Sequence, residues 1–217
     1  MTKTDFLKNL KSPLPNTVLK KFPEGNITQL WGENPELYSE YFKQKDDVHR
    51  FTAGHSGIDI KDLFRTPIYA AHEGKIEGLE LGRTGTGGIM VFVWSPFLED
   101  GTKLVKIVSG YAHLDECVVK LGDIVTQGQL LGYMGNTGFV ISGETPYWGN
   151  APAGAGVHLH FMMYENRFEN GTFVSTPSPM GNTFDPLPWL TEDWSGTKIL
   201  LNNVTKLLIY WLQKYQK

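Results

Sequence analysis

Residues 66–81 read TPIYAAHEGKIEGLEL. Branched and aromatic residues flank Glu73-Gly74, a pair suited to a tight turn, so the stretch predicts two short strands joined at that turn. The same pattern recurs on the C-terminal side. GGIMVFVW (87–94) predicts a strand and KLVKIVSGYAHL (103–114) the next, with SPFLEDGT (95–102) between them as a hairpin loop rich in turn residues. DIVTQGQLLGYMG (123–135) predicts two more strands around Gln127-Gly128. Many short strands at close spacing with glycine-marked turns predict an all-β fold, an antiparallel barrel or sandwich, over residues 57 to 165.

The flanks differ. Residues 1–50 predict an irregular lead-in packed on the core. Within it, PELYSEYFKQKD (35–46) predicts a short helix with Pro35 in its first turn and Asn34 as its cap. The main domain is expected over 51–190. In residues 191–217 the tail SGTKILLNNVTKLLIYWLQKYQK (195–217) carries Leu200, Val204, Leu207, Leu208, Trp211 and Tyr215 at helical spacing. It predicts an amphipathic C-terminal helix, suited to packing on the domain and, less simply, to a dimer contact.

Bulk properties narrow the function classes. A chain of 217 residues can bury one sizeable core. A net charge of −3 offers no basic field for nucleic acid and no acidic tail for a basic partner. The single cysteine, Cys117, excludes an intrachain disulfide and a cysteine metal cluster, so any metal site must be built from histidine and carboxylate. Cys117 itself reads as a structural thiol. The first 22 residues, MTKTDFLKNLKSPLPNTVLKKF, lack the apolar h-region of a secretory signal, and no run is long enough to span a bilayer. The expectation is a monomer made in the cytoplasm.

The chemistry-bearing stretches are three. GVHLHF (156–161) is strand-like, and residues two apart in a strand share a face. His158 and His160 therefore project together while Val157, Leu159 and Phe161 face a core. Two imidazoles on one face suit a metal site, or a ligand beside an acid–base group; the plainer reading is a solvated edge. GHSGIDI (54–60) sets His55 and Asp59 four apart, with Gly54 and Gly57 loosening the backbone. One nitrogen and one oxygen ligand suit zinc. With one histidine of the HLH pair the set becomes two histidines and a carboxylate, which leaves a fourth position for water, as in a catalytic site. GYAHLDE (110–116) places His113 near a strand end. The aperiodic stretch 136–156 reads as a long loop forming one wall of a site at GVHLHF. His49 reads as a loop residue and His72, at a turn, as a surface residue. Tyr111 and Tyr147 read as packing residues able to meet a substrate, and Asn136 and Thr137 as turn residues.

HSGID, YAHL, VKLGDIVTQGQLLGYMGNTG (119–138) and GVHLHF in this order resemble lysostaphin/LytM-type zinc peptidases, which cut peptidoglycan and have a small antiparallel β core of the duplicated-hybrid-motif type. The resemblance spans residues 27 to 190. It implies that His55, Asp59 and His160 hold Zn2+ and that His113 and His158 are non-ligand catalytic histidines. The long loop at 139–155, the spacing from Tyr41 to His55 and the C-terminal helix depart from the family pattern and bear on substrate preference. Zinc lowers the pKa of its bound water toward about 7 and polarises a scissile carbonyl. A non-ligand imidazole beside it can move the proton, and a second can stabilise the oxyanion. His158 suits the first role and His113 the second, although the two are interchangeable on sequence grounds.

The resemblance thus implies a zinc endopeptidase acting on peptidoglycan peptides. Without a secretory signal, the expectation is a phage lysin or virion-associated wall-degrading module, released by lysis or injection, with export lacking a recognisable signal as the alternative. A non-catalytic wall-binding or activator module of the same fold is the alternative, disfavoured by the complete residue set. A biotinyl or lipoyl carrier would need a hairpin-tip lysine that 121–135 lacks, and a histidine phosphocarrier would not need Asp59.

Overall fold

A computed structural model describes residues 2–42, 54–99, 103–175 and 182–194. Thirteen strands dominate the described residues, all paired antiparallel. The main sheet runs β1 (Ile27–Gln29), β2 (Ile58–Ile60), β11 (Leu159–Glu169), β6 (Lys103–Cys117), β5 (Ile89–Glu99), β4 (Gly74–Glu80) and β7 (Ile124–Val125). β12 (Thr172–Ser175) and β13 (Thr183–Phe184) pair with β11, and β8 (Leu130–Met134) links β6 to β3 (Pro67–Tyr69). The antiparallel β fold expected from the sequence is the fold observed. The expected C-terminal helix, at 195–217, lies outside the described residues.

Alternation along the strands sorts the two faces of the sheet. Ile58 and Ile60 of β2, Val91 and Val93 of β5, and Leu159, Phe161 and Met163 of β11 are buried in one large core. Asp59, Met90, Phe92, His160 and Met162 take the opposite face, which floors a cavity of about 1090 Å³. Gly57 matters here for close approach and not for looseness: a Cβ on it would stand 2.3 Å from the Phe161 carbonyl oxygen. That approach lets β2 lie against β11 with Asp59 directly opposite His160.

One irregularity changes which face a residue takes. β5 and β6 pair at Val91↔Tyr111 and at Ile89↔Leu114, so Ala112 and His113 together face the single residue Met90. This β-bulge puts His113 in the left-handed region, φ 61°. Tyr111 and Leu114 both reach the core, while Ala112 and His113 both line the cavity.

Three expectations are corrected. The hairpin loop expected at 95–102 is shorter, because β5 continues as strand through Glu99 and pairs with β6 from Lys103. The loop expected at 136–156 contains a two-stranded hairpin, β9 (Phe139–Ser142) with β10 (Thr145–Trp148), closed by Phe139 and Trp148 rings 4.3 Å apart. His72, read as a surface turn residue, is buried: the AAHEG segment folds inward, with His72 Nδ1 donating to the Glu73 carbonyl and Ser109 Oγ 2.9 Å from Nε2.

The lead-in contributes to the core itself. A short helix α1 (Lys3–Leu7), closed by a capping box between Thr2 and Asp5, presents Phe6 and Leu7. Leu10 and Leu14 follow, both fully buried in the cluster that holds Ile58 and Phe161. Thr191 ties this segment to the far end of the described chain, its N–H donating to Leu10 and its carbonyl accepting from Ser12. Of the helix expected at 35–46, the described part forms α2 (Pro35–Phe42), with the Asn34 carbonyl accepting from Tyr38 N–H, and residues 43–46 lie outside the described residues. No helix among the described residues is long and apolar enough to cross a membrane.

Candidate active site

Three of the residues singled out in the sequence meet at one point. His55 Nε2 lies 3.0 Å from Asp59 Oδ1, His160 Nδ1 lies 2.9 Å from the same oxygen, and the two nitrogens are 2.7 Å apart. All three residues are buried. β2 supplies Asp59 and β11 supplies His160 as a cross-strand pair, while His55 stands at the entrance to β2.

The hydrogen bonds around the rings fix which nitrogen is bare. His55 Nδ1 donates to the Leu30 carbonyl at 3.1 Å, so a neutral ring presents a lone pair at Nε2. His160 Nε2 lies 3.3 Å from Ser56 Oγ, which leaves Nδ1 facing the other two ligand atoms. Three acceptor atoms therefore converge, with at most the one His160 proton to share among them. A dication between them satisfies all three. Two imidazole nitrogens and one carboxylate oxygen are the donor set that zinc favours, with room for a further ligand. The Leu30 carbonyl and Ser56 hydroxyl stand where outer partners would orient the two rings toward a metal.

The charges agree with such a set. Burial pulls the Asp59 carboxyl upward, but neighbouring His55 and His158, with the hydrogen bond from His160, outweigh it and hold the group well below the carboxylate range. Burial, reinforced by His55, lowers His160 and favours the neutral imidazole that a ligand must be.

His113 and His158 flank this centre without joining it. Their rings lie 4.6 Å apart, and His158 Nε2 is 3.6 Å from Asp59 Oδ2. His158 Nδ1 donates to the Gly156 carbonyl and His113 Nδ1 to the Thr137 carbonyl, each at 2.8 Å. Both rings are thus held through Nδ1, with Nε2 turned away from the backbone. Burial, with His158 and His160 nearby, pushes His113 well below the usual histidine range, so it rests neutral.

Several contributors were missed from sequence. The lead-in reaches the centre through Leu30, through backbone bonds between His55 and both Gly32 and Glu33, and through Tyr38, which stacks on His55 with centroids 5.7 Å apart. Thr137, read as a turn residue, is buried, and its hydroxyl bonds both strands at the Ile89–Leu114 pair that flanks the β6 bulge. Asn136 donates to the Pro152 and Ala155 carbonyls and so closes the base of the 136–156 segment. Tyr111 packs in the core with its hydroxyl accepting from Ala71 N–H, away from the cavity. The 136–156 segment does wall the cavity, through Phe139 to Gly143 and Gly154 to Gly156.

The model of peptidase family M23 matches residues 53–174, more than half of the chain and the part that carries all five residues. A glycyl-glycine endopeptidase of Staphylococcus capitis is 30% identical over 149 residues, covering 66% of this chain and 31% of the relative. Lysostaphin of Staphylococcus simulans is 30% identical over 158 residues, covering 64% and 26%. The crystallised catalytic domain of that lysostaphin aligns at 23% identity with a TM-score of 0.44, covering 87% of this chain and 97% of the domain. The chain spans about a third or less of the length of the curated relatives it matches. It belongs to peptidase family M23, a family of metallopeptidases.

Proposed function

We propose that this chain is a zinc-dependent endopeptidase that hydrolyses peptide bonds in bacterial peptidoglycan. The observation that carries the reading is the convergence of His55 Nε2, Asp59 Oδ1 and His160 Nδ1 within 3.0 Å of one another, beside two further imidazoles held through Nδ1 by backbone carbonyls. The substrate class rests on the relatives, which are named for glycyl-glycine cleavage and as lysostaphin.

His55, Asp59 and His160 would hold the metal. Zinc in this position supplies a Lewis acid that polarises a carbonyl and acidifies water. The chain's own residues supply the proton handling. His158, half-buried with Nε2 3.6 Å from Asp59 Oδ2, is placed to accept a proton at Nε2. His113 rests neutral with its ring proton on the Thr137 carbonyl, so it too begins as an acceptor. Donation to a developing oxyanion falls to whichever imidazole has taken up the proton. The buried setting strengthens each of these interactions by excluding water.

Metal content and digestion of purified walls test the reading together. The expected result is about one zinc per chain and new amino termini released from isolated peptidoglycan. A zinc-loaded chain that releases none overturns the substrate claim, and a chain that binds no zinc overturns the mechanism.

A further inference from the structure

The cavity floor beside the metal-ligand triad is apolar. On β11, Met162 stands two residues beyond His160 and so shares its face; on β6, Gly110 stands two before Ala112; on β5, Phe92 stands two beyond Met90. Phe92, Gly110 and Met162 pair in register across the three strands. They form one row, adjacent to the row that holds Met90, Ala112, His160 and Asp59. Met90, Ala112 and Met162 make a cluster separate from the main core, with Phe92 and Tyr164 packed against it.

Gly110 keeps this floor continuous. A Cβ there would come within 2.9 Å of Met162 Cγ and 3.2 Å of Phe92 Cε1, so glycine lets those two side chains close over the strand between them. The Tyr164 hydroxyl is engaged by Met162 Sδ. The row of Phe92, Gly110 and Met162 itself carries no charged side chain, whereas Lys61, Asp62 and Glu80 line other parts of the cavity, so a charged substrate side chain resting on the row would lie against apolar atoms. The same cavity holds the triad, His113 and His158, and its rim carries exposed Leu63 and Phe64.

Resting on the peptidase reading above, we propose that this floor is a side-chain subsite. It takes an aliphatic residue next to the scissile bond, so that the preferred substrate is a peptide bearing an apolar side chain there and not a Gly-Gly bond. Met90 and Met162 are already nearly covered, so a glycine peptide would leave chiefly the partly exposed Phe92 without a guest over it. An aliphatic side chain covers it, and each buried methylene is worth roughly a factor of 4 in binding. Methionine adapts its shape to such a guest at little cost.

The test compares two peptides of equal length on the zinc-loaded full chain, one all glycine and one with a single glycine beside the scissile bond replaced by alanine or leucine. The expected kcat/KM ratio favours the alanine peptide by about fourfold and the leucine peptide by about tenfold or more. In Met162→Gln and in Phe92→Ser the ratio should fall toward one, a comparison internal to each variant and independent of how much of it folds. Equal rates or a glycine preference in the unaltered chain overturn the subsite while leaving the peptidase reading intact, as does a ratio that neither variant moves. Cleavage of neither peptide by a chain with full zinc content overturns both.

Discussion

Thr137 holds His113 from two directions. Its carbonyl accepts the His113 Nδ1 proton at 2.8 Å, and its hydroxyl bridges the strands on either side of the bulge, accepting from Ile89 N–H at 2.9 Å and donating to the Leu114 carbonyl at 2.7 Å. Thr137→Val keeps the shape and deletes the hydroxyl, leaving two buried backbone groups unpaired. The expected cost is about 2–4 kcal/mol of stability, with a fall in kcat at nearly constant KM as His113 loses its placement. Thr137→Ser should recover most of both. Denaturant melts beside steady-state kinetics check this, and a Val variant with unchanged kcat would detach Thr137 from His113.

The left-handed backbone at His113 makes a second comparison possible. A residue with a Cβ in that region is strained by about 1–2 kcal/mol, and glycine is not. His113→Gly and His113→Ala both remove the imidazole and should both lose about 10²–10⁴ in kcat. Only the glycine variant also relieves the strain, so it should be the more stable of the two by about 1 kcal/mol. This reverses the usual order within a strand, where glycine is the weaker residue. Thermal melts of the two variants decide it.

Metal removal separates ligands from catalytic histidines. A chelator should lower the Tm of the unaltered chain and added zinc should restore it, since a ligand at a hundred times its Kd contributes about 2.7 kcal/mol. His160→Ala and Asp59→Asn should show no zinc-dependent shift. His158→Ala should keep the shift while losing activity. A zinc-dependent shift that survives in His160→Ala would remove that residue from the ligand set.

What the sequence disclosed and what it hid follow from the range of each signal. Strand alternation is local, so the pairing of His160 with a buried Leu159 and Phe161 was readable in GVHLHF, and HSGID set out His55 and Asp59 as a pair. His113 escaped that logic. Simple alternation would place it on the face of Tyr111, and only the bulge, held by Thr137 from 24 residues away, turns it into the cavity. His72 was misread for a similar reason: the residues that satisfy it, Ser95 and Ser109, lie on β5 and β6. The hairpin at 139–148 was hidden because Gly, Pro and Ser masked two strands of four residues each.

The lead-in gives a stability prediction that its irregular sequence did not suggest. Leu10 and Leu14 are fully buried against the strands that carry the site, while Val18 is 42% exposed. Leu10→Ala and Leu14→Ala should each cost about 2–5 kcal/mol, and Val18→Ala should stay within about 0.5 kcal/mol. Equal, small effects at all three would mean that the segment is an appendage. Because Leu30 and Tyr38 orient His55, the destabilised variants should also bind zinc more weakly as the lead-in loosens.

His72 sets an acid limb to stability. Burial lowers its pKa from 6.5 to about 4, against a hydrogen bond to the Glu73 carbonyl that works the other way. The unfolded chain therefore binds the proton more readily than the folded one between those values. Stability is complete above pH 6.5 and is lost as the pH falls from there toward 4. The full contribution is on the order of 3 kcal/mol. Asp59, also held below its ordinary value, loses its contribution only at lower pH, since the free carboxyl titrates near 3.8. The two effects are thus separable. Denaturant unfolding at pH 7 and pH 5 should show a marked loss in the unaltered chain. His72→Gln should start from lower stability, because Ser109 and the Glu73 carbonyl are imperfectly matched, yet lose much less between the same two pH values. An identical slope in both would place the acid sensitivity elsewhere.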